Sequence, residues 1–137
     1  MGGGVVNAGV GGDLDRADAL LGPLEGRIMR AVWAGQVPEV FVVRDVHALM
    51  PELAYTTVMT TLRRLAAKGL LATRAEPGRK AHEYRAVGTP ADFLAAASAR
   101  EADGVVDRYG EAALAAFAAR LAALTPEQRR RLENLQE

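Results

Sequence analysis

The chain has 137 residues, enough for one domain or one small domain with an appendage. Half of its residues are hydrophobic and a quarter are charged, which supplies a packed core and argues against wholesale disorder. With no cysteine and only His47 and His82, the composition excludes disulfide frameworks, thiolate metal sites and cysteine nucleophiles, and no cofactor or metal is expected.

Seventeen basic residues balance seventeen acidic ones, but not evenly along the chain. Residues 1–20 hold one Arg against three Asp, and residues 89–137 hold six Arg against eight acids. Residues 21–88 hold ten Lys or Arg against six acids. A basic middle between acidic flanks points to an anionic partner for the middle. No apolar run approaches the roughly 20 residues needed to span a bilayer. The N-terminus, MGGGVVNAGVGGDLDR, lacks the basic and apolar regions of a secretory signal, so a cytoplasmic protein is expected.

Residues 1–20 are Gly-rich and predict a flexible arm. Pro23 suits a first helical position, and Leu24, Ile28, Val32 and Trp33 recur at helical spacing towards a stop near Gly35. A β-prone run follows at Val40–Val42. A second helix is predicted over Val43–Met50, with Val46, Leu49 and Met50 inward and Pro51 as its stop. A third is predicted over Ala54–Lys68, with Gly69 just beyond its end. Two strands, Leu70–Ala75 and Ala81–Val87, flank a turn whose tip, Arg79 and Lys80, is basic. Thr89-Pro90-Ala91-Asp92 is a helix start, and Ala-rich helices are predicted from there to Val106 and from Asp107 to Leu124. Thr125-Pro126-Glu127-Gln128 starts the last helix, which carries Leu132 and Leu135.

The third helix is the informative one. On a wheel of 100° per residue, Ala54, Val58, Leu62 and Leu65 fall within about 40° of one direction and form the buried stripe. Thr56, Thr60 and Arg63 point almost opposite, with Thr57 and Arg64 on one shoulder. Threonine is a mediocre helix former, so propensity does not explain four of them here. Major-groove reading does: the hydroxyl donates or accepts, the methyl meets the thymine methyl, and Arg pairs with guanine or phosphate. Helix, short strand, two helices and a basic hairpin read together as a winged helix-turn-helix over residues 21–88. The fold class is mainly α with a small β-hairpin, and residues 89–137 add an α-helical dimerisation region.

The site residues follow. Thr56, Thr57, Thr60 and Arg63 are candidate base readers; Arg44, Tyr55, Arg64, Lys68, Arg79 and Lys80 are candidate backbone contacts. Leu114, Phe117, Leu121 and Leu124 step by three, four and three like a heptad seam, and with Phe93, Leu132 and Leu135 they form the candidate dimer surface. Trp33 is expected in the core, Tyr84 inside the wing, and the two histidines as surface or hydrogen-bonded structural groups.

The same residues resemble a family, the penicillinase-repressor (BlaI/MecI-type) transcriptional regulators. The likeness is carried by Leu21-Gly22-Pro23-Leu24-Glu25-Gly26-Arg27-Ile28-Met29, Val32-Trp33 and Val43-Arg44-Asp45-Val46. It is strongest over Leu53–Leu65 and Lys68-Gly69-Leu70-Leu71, and it includes Gly78-Arg79 and Tyr84. The resemblance implies a homodimeric repressor of palindromic double-stranded operators, controlling β-lactamase-like or stress-response genes. It also implies a membrane sensor protease acting on the C-terminal region, although Ala116-Phe117 stands where some relatives carry an Asn-Phe cleavage pair. The cysteine cluster of copper-responsive relatives is absent. An enzyme is not expected, since no triad, paired carboxylates or phosphate loop is present. The alternative is a winged-helix regulator of another family that senses a small ligand.

Overall fold

The computed structural model describes residues 12–75, 78 and 82–135. Chain contacts divide it into two compact units, the first ending at Ala96 and the second starting at Ala97. In chain order the first unit holds α1 (12–19), α2 (Pro23–Trp33), α3 (Val43–Leu49), α4 (Tyr55–Ala67), β1 (Leu71–Arg74), β2 (Glu83–Ala86) and the start of α5 (Pro90–Tyr109). The second holds the rest of α5, α6 (Glu111–Ala122) and α7 (Pro126–Leu135). No helix among the described residues is long and apolar enough to cross a membrane.

The first unit is a winged helix. Ile28 and Met29 of α2, Val43 and Val46 of α3, and Val58, Leu62 and Leu65 of α4 converge on one core. The hairpin closes it. β1 and β2 pair antiparallel with Leu71 opposite Ala86 and Thr73 opposite Tyr84, so the buried Leu71 and Tyr84 share the inner face. The β-prone run contributes a single bridge: Phe41 exchanges backbone bonds of 2.9 and 2.7 Å with Tyr84 and lies fully buried against its ring. Gly69 takes φ 84°, the left-handed turn that ends α4 and starts the hairpin.

Most helices begin the same way. The N–H before the helix donates to an acid or amide three residues on: Gly22 to Glu25, Val42 to Asp45, Thr89 to Asp92 and Thr125 to Gln128. At Thr89 and Thr125 the hydroxyl in turn accepts from the backbone N–H of Asp92 and Gln128. Asp92 is held below the usual carboxylate range, first by the backbone N–H of Thr89 and then by the Thr89 hydroxyl.

The structure departs from the sequence reading at several places. Residues 12–19 were expected within a flexible arm, yet they are helical: Ala17 is buried, and Asp15 and Asp18 pair with Arg30 of α2 at 2.6 and 2.9 Å. Residues 1–11 of that arm lie outside the described residues. Leu49, expected inward, is 40% exposed because α3 ends there and Met50 turns into the core instead. Ala54, placed on the buried stripe, is the exposed residue before α4 rather than part of it. The break expected at Val106–Asp107 falls at Gly110, whose φ of 63° a glycine tolerates. The first unit runs past Gly88 to Ala96 because Phe93 packs on Trp33, with ring centres 6.3 Å apart.

One polar contact ties the start of α2 to the end of α4. Glu25, 8% exposed, accepts from Gly22 N at 3.1 Å and from Lys68 Nζ at 2.8 Å. The bond from Lys68 holds the Glu25 carboxyl below its ordinary value, although burial pushes the other way. A carboxyl lowered on folding adds stability above its unfolded pKa and loses it as pH falls through the folded one. Glu25→Gln keeps the shape but removes the charge, and should cost about 1–2 kcal/mol at neutral pH. In urea melts the gap between the two proteins should narrow as the pH drops through the carboxylate range.

Candidate nucleic-acid interface

The outer surface of α4 is built by what holds its inner surface. Val58, Leu62 and Leu65 are fully buried, which fixes the helix about its own axis. Tyr55, Thr56, Thr57, Thr60, Arg63 and Arg64 are then exposed. The fourth threonine is not part of this face. Thr61 is 4% exposed, and its hydroxyl donates to Thr57 O at 2.8 Å, the i−4 bond that satisfies a buried threonine in a helix. Its position three residues beyond Val58 was the available signal.

The turn from α3 into α4 is set by His47. Its Nε2 lies 2.9 Å from Leu53 O, and its ring meets Tyr55 edge-on at 5.8 Å. This is the hydrogen-bonded structural histidine anticipated from the sequence, and it also places Tyr55 at the mouth of α4. Glu52 of the turn pairs with Arg27 of α2. Its carboxyl lies below the usual range, first through the backbone N–H of its own residue and then through Arg27.

Electrostatically, α4 differs from its neighbours. Its first turn carries no acid and its N-cap makes no side-chain bond, so the positive end of the helix faces outward without a carboxylate. Arg63 and Arg64 on α4 and Arg44 on α3 are exposed; the Arg64 charge acts on the Glu25 carboxyl without a hydrogen bond between them. Arg85 joins them. It is exposed on the outer face of β2, where strand alternation (Tyr84 in, Arg85 out) could have flagged it. A helix face of hydroxyls and exposed guanidiniums, beside a hairpin with an outward Arg, is chemistry for an anionic polymer.

The family model described as penicillinase repressor matches residues 21–137. The chain belongs to the penicillinase repressor family. Two curated relatives, each named transcriptional regulator BlaI and from the CDC 1551 and H37Rv strains of Mycobacterium tuberculosis, are 41% identical over 70 residues. The match covers 49% of this chain and 48% of each relative, so the chain spans about half the length of the curated relatives it matches. Among solved structures it is similar to TrmBL2, an archaeal chromatin protein described as showing a novel mode of DNA binding. The TM-score is 0.47 at 23% identity, covering 83% of this chain and 45% of that one.

Within this chain, the other residues singled out from the sequence fall in different places. Lys68 is half-exposed, but its ammonium is engaged by Glu25, so it serves the fold. Arg79 and Lys80 lie outside the described residues. Phe93, assigned to the dimer surface, packs instead on Trp33 against the winged-unit core. Helical periodicity could not separate these roles, because the partner lies sixty residues away. Leu114, Phe117 and Leu121 stand exposed on α6 at 55%, 40% and 50%, and Leu135 on α7 at 83%. Leu124 and Leu132 are half-buried.

The inward and outward threonines should respond differently to loss of the hydroxyl. Thr61→Val keeps the volume and leaves the Thr57 carbonyl in its helical bond. Its unfolding free energy in urea should stay within about 1 kcal/mol of the parent chain.

Proposed function

We propose that this chain is a homodimeric transcriptional repressor that binds palindromic operators in double-stranded DNA. The observation that carries the reading is the exposed α4 face of Tyr55, Thr56, Thr57, Thr60, Arg63 and Arg64 with no acid in its first turn. An α-helix with its side chains is about 10–12 Å across, and the major groove is about 12 Å wide. In that groove Thr56, Thr57, Thr60 and Arg63 read base edges. Arg44, Tyr55, Arg64 and Arg85 hold phosphates and set the register.

The second unit supplies the two-fold. Among its described residues Ala113 alone is buried, while Leu114, Phe117 and Leu121 are exposed along one helix. Burying a large apolar side chain gains about 1.5–3 kcal/mol, so a second copy offers α6 a partner that its own unit does not. Family membership supports β-lactamase-like or stress-response genes as targets, and a membrane sensor protease acting on the C-terminal region as the trigger for release.

Binding to duplexes selected from random sequence tests the reading. Affinity should fall with salt at a log–log slope of roughly −0.9 per neutralised phosphate. Thr60→Val should lose about 1–3 kcal/mol on the selected site and little on random duplex, whereas Arg64→Ala should weaken both alike. Salt-indifferent binding would count against DNA as the partner.

A chain ending at Ala96 keeps the whole winged-helix core, including the Trp33–Phe93 contact. It should be folded and monomeric in sedimentation. It should bind a half-site but lose the effective-concentration gain, a factor of about 10² to 10⁴, on the full palindrome. A dimeric 1–96 fragment would remove the tail from the dimer surface.

A further inference from the structure

The root of α5 is held more firmly than the helix itself requires. Three contacts fix residues 87–93 to the winged core: Val87 N donates to Leu70 O at 3.0 Å, Trp33 Nε1 donates to Gly88 O at 2.9 Å, and the Phe93 ring lies on Trp33. Gly88 leaves room for the cap of α5, because a Cβ there would stand 2.7 Å from Asp92 Oδ2 and 2.9 Å from Asp92 Cβ. The Thr89–Asp92 box then starts the helix at once, with bonds of 2.9 and 3.1 Å. Yet no residue of α5 is buried along its 20 residues. The chain's single tryptophan, on the last turn of α2, thus serves as much to anchor the next helix as to fill the core.

The geometry points to the Trp33–Gly88–Phe93 joint as the element that determines which half-site spacing the dimer accepts. The inference rests on the reading of the chain as a palindrome-binding dimer joined through its second unit. A 20-residue helix is about 30 Å long, so an error of about 10° where it leaves the winged unit displaces its far end by about 5 Å. One base pair is about 3.4 Å of duplex. A joint that loosened by that angle would blur the register by more than one base pair, although each reading helix kept its own contacts. Trp33 and Phe93 are therefore positioning residues. They pack against the winged-unit core, and what they set is the direction of α5 at its start.

The experiment uses the full-length chain, Trp33→Phe, Phe93→Ala and Phe93→Leu. Trp33→Phe keeps a ring on Phe93 but has no N–H for Gly88 O, and Phe93→Leu keeps an apolar contact as the conservative control. The probes are palindromes that the parent chain selects from random duplexes, rebuilt with spacers one and two base pairs shorter or longer, and the isolated half-site. The parent chain should prefer its selected spacer at least about ten-fold over each altered one. Trp33→Phe and Phe93→Ala should keep half-site affinity and sedimentation as a dimer within about two-fold, while the spacer preference drops below about three-fold. Phe93→Leu should restore most of it. Full spacer preference in Trp33→Phe and Phe93→Ala would overturn the inference and leave the repressor reading standing. A parent chain that is monomeric, or indifferent to the second half-site, would overturn that reading and the inference with it. Loss of half-site binding in both Trp33→Phe and Phe93→Leu would overturn the inference too, since the joint would then be supporting the reading helix itself.

Discussion

Everything presented by α4 depends on how its opposite face is buried. Val58, Leu62 and Leu65 are fully enclosed by α2, α3 and the hairpin. Truncating a buried leucine costs about 2–5 kcal/mol, a large part of the roughly 5–15 kcal/mol that holds a small domain folded. A rotation of one residue, 100°, would carry Val58 into water and bring a threonine into the core. The helix therefore has one orientation, and the apolar stripe decides which hydroxyls and guanidiniums face outward. A buried triplet chosen for packing is in this sense also a choice of interface. The exposed residues contribute little to stability and remain open to other constraints.

The positive charge of the middle segment is sorted by the fold. Arg27 goes to Glu52, Arg30 to Asp15 and Asp18, and Lys68 to Glu25. Each of these pairs ties α2 to another element. Arg44, Arg63, Arg64 and Arg85, on α3, α4 and the wing, are exposed. A modest excess of base over acid along residues 21–88 thus leaves exposed guanidiniums on α3, α4 and the wing. Apart from the pair at the buried Glu25, these pairs are exposed and individually weak, so the stability at issue is small. Their effect on where charge stays available is not.

The winged helix was legible in the sequence because its signals are local: a proline at a helix start, a 3.6-residue stripe, a glycine after the third helix, and a turn between two alternating runs. The threonine and arginine face was legible for the same reason. What was not legible depended on partners far along the chain. Phe93 looks like any apolar residue of an Ala-rich helix until Trp33, sixty residues earlier, is beside it. Lys68 reads as one more cation on a basic helix until Glu25 reaches it from α2. Ala54 and Leu49 failed for a simpler reason. Each lies at a helix end, where a wheel drawn past the last turn no longer describes the backbone.

The segment before the family match shows the same dependence from the other direction. The match begins at residue 21, and α1 lies ahead of it. Two residues inside the match are nonetheless fitted to α1. Arg30 is held by Asp15 and Asp18, which raise its pKa above the ordinary arginine value, the Asp15 bond foremost. Gly26 is buried where Asp18 approaches so closely that a Cβ would stand 1.8 Å from Oδ1. An alanine at 26 would push that carboxylate away and with it one of the two contacts on Arg30. The acidic character of residues 1–20 is thus not that of a free tail. Two of its three aspartates face a guanidinium of α2, and the small residue that admits one of them lies a single helical turn away from that arginine.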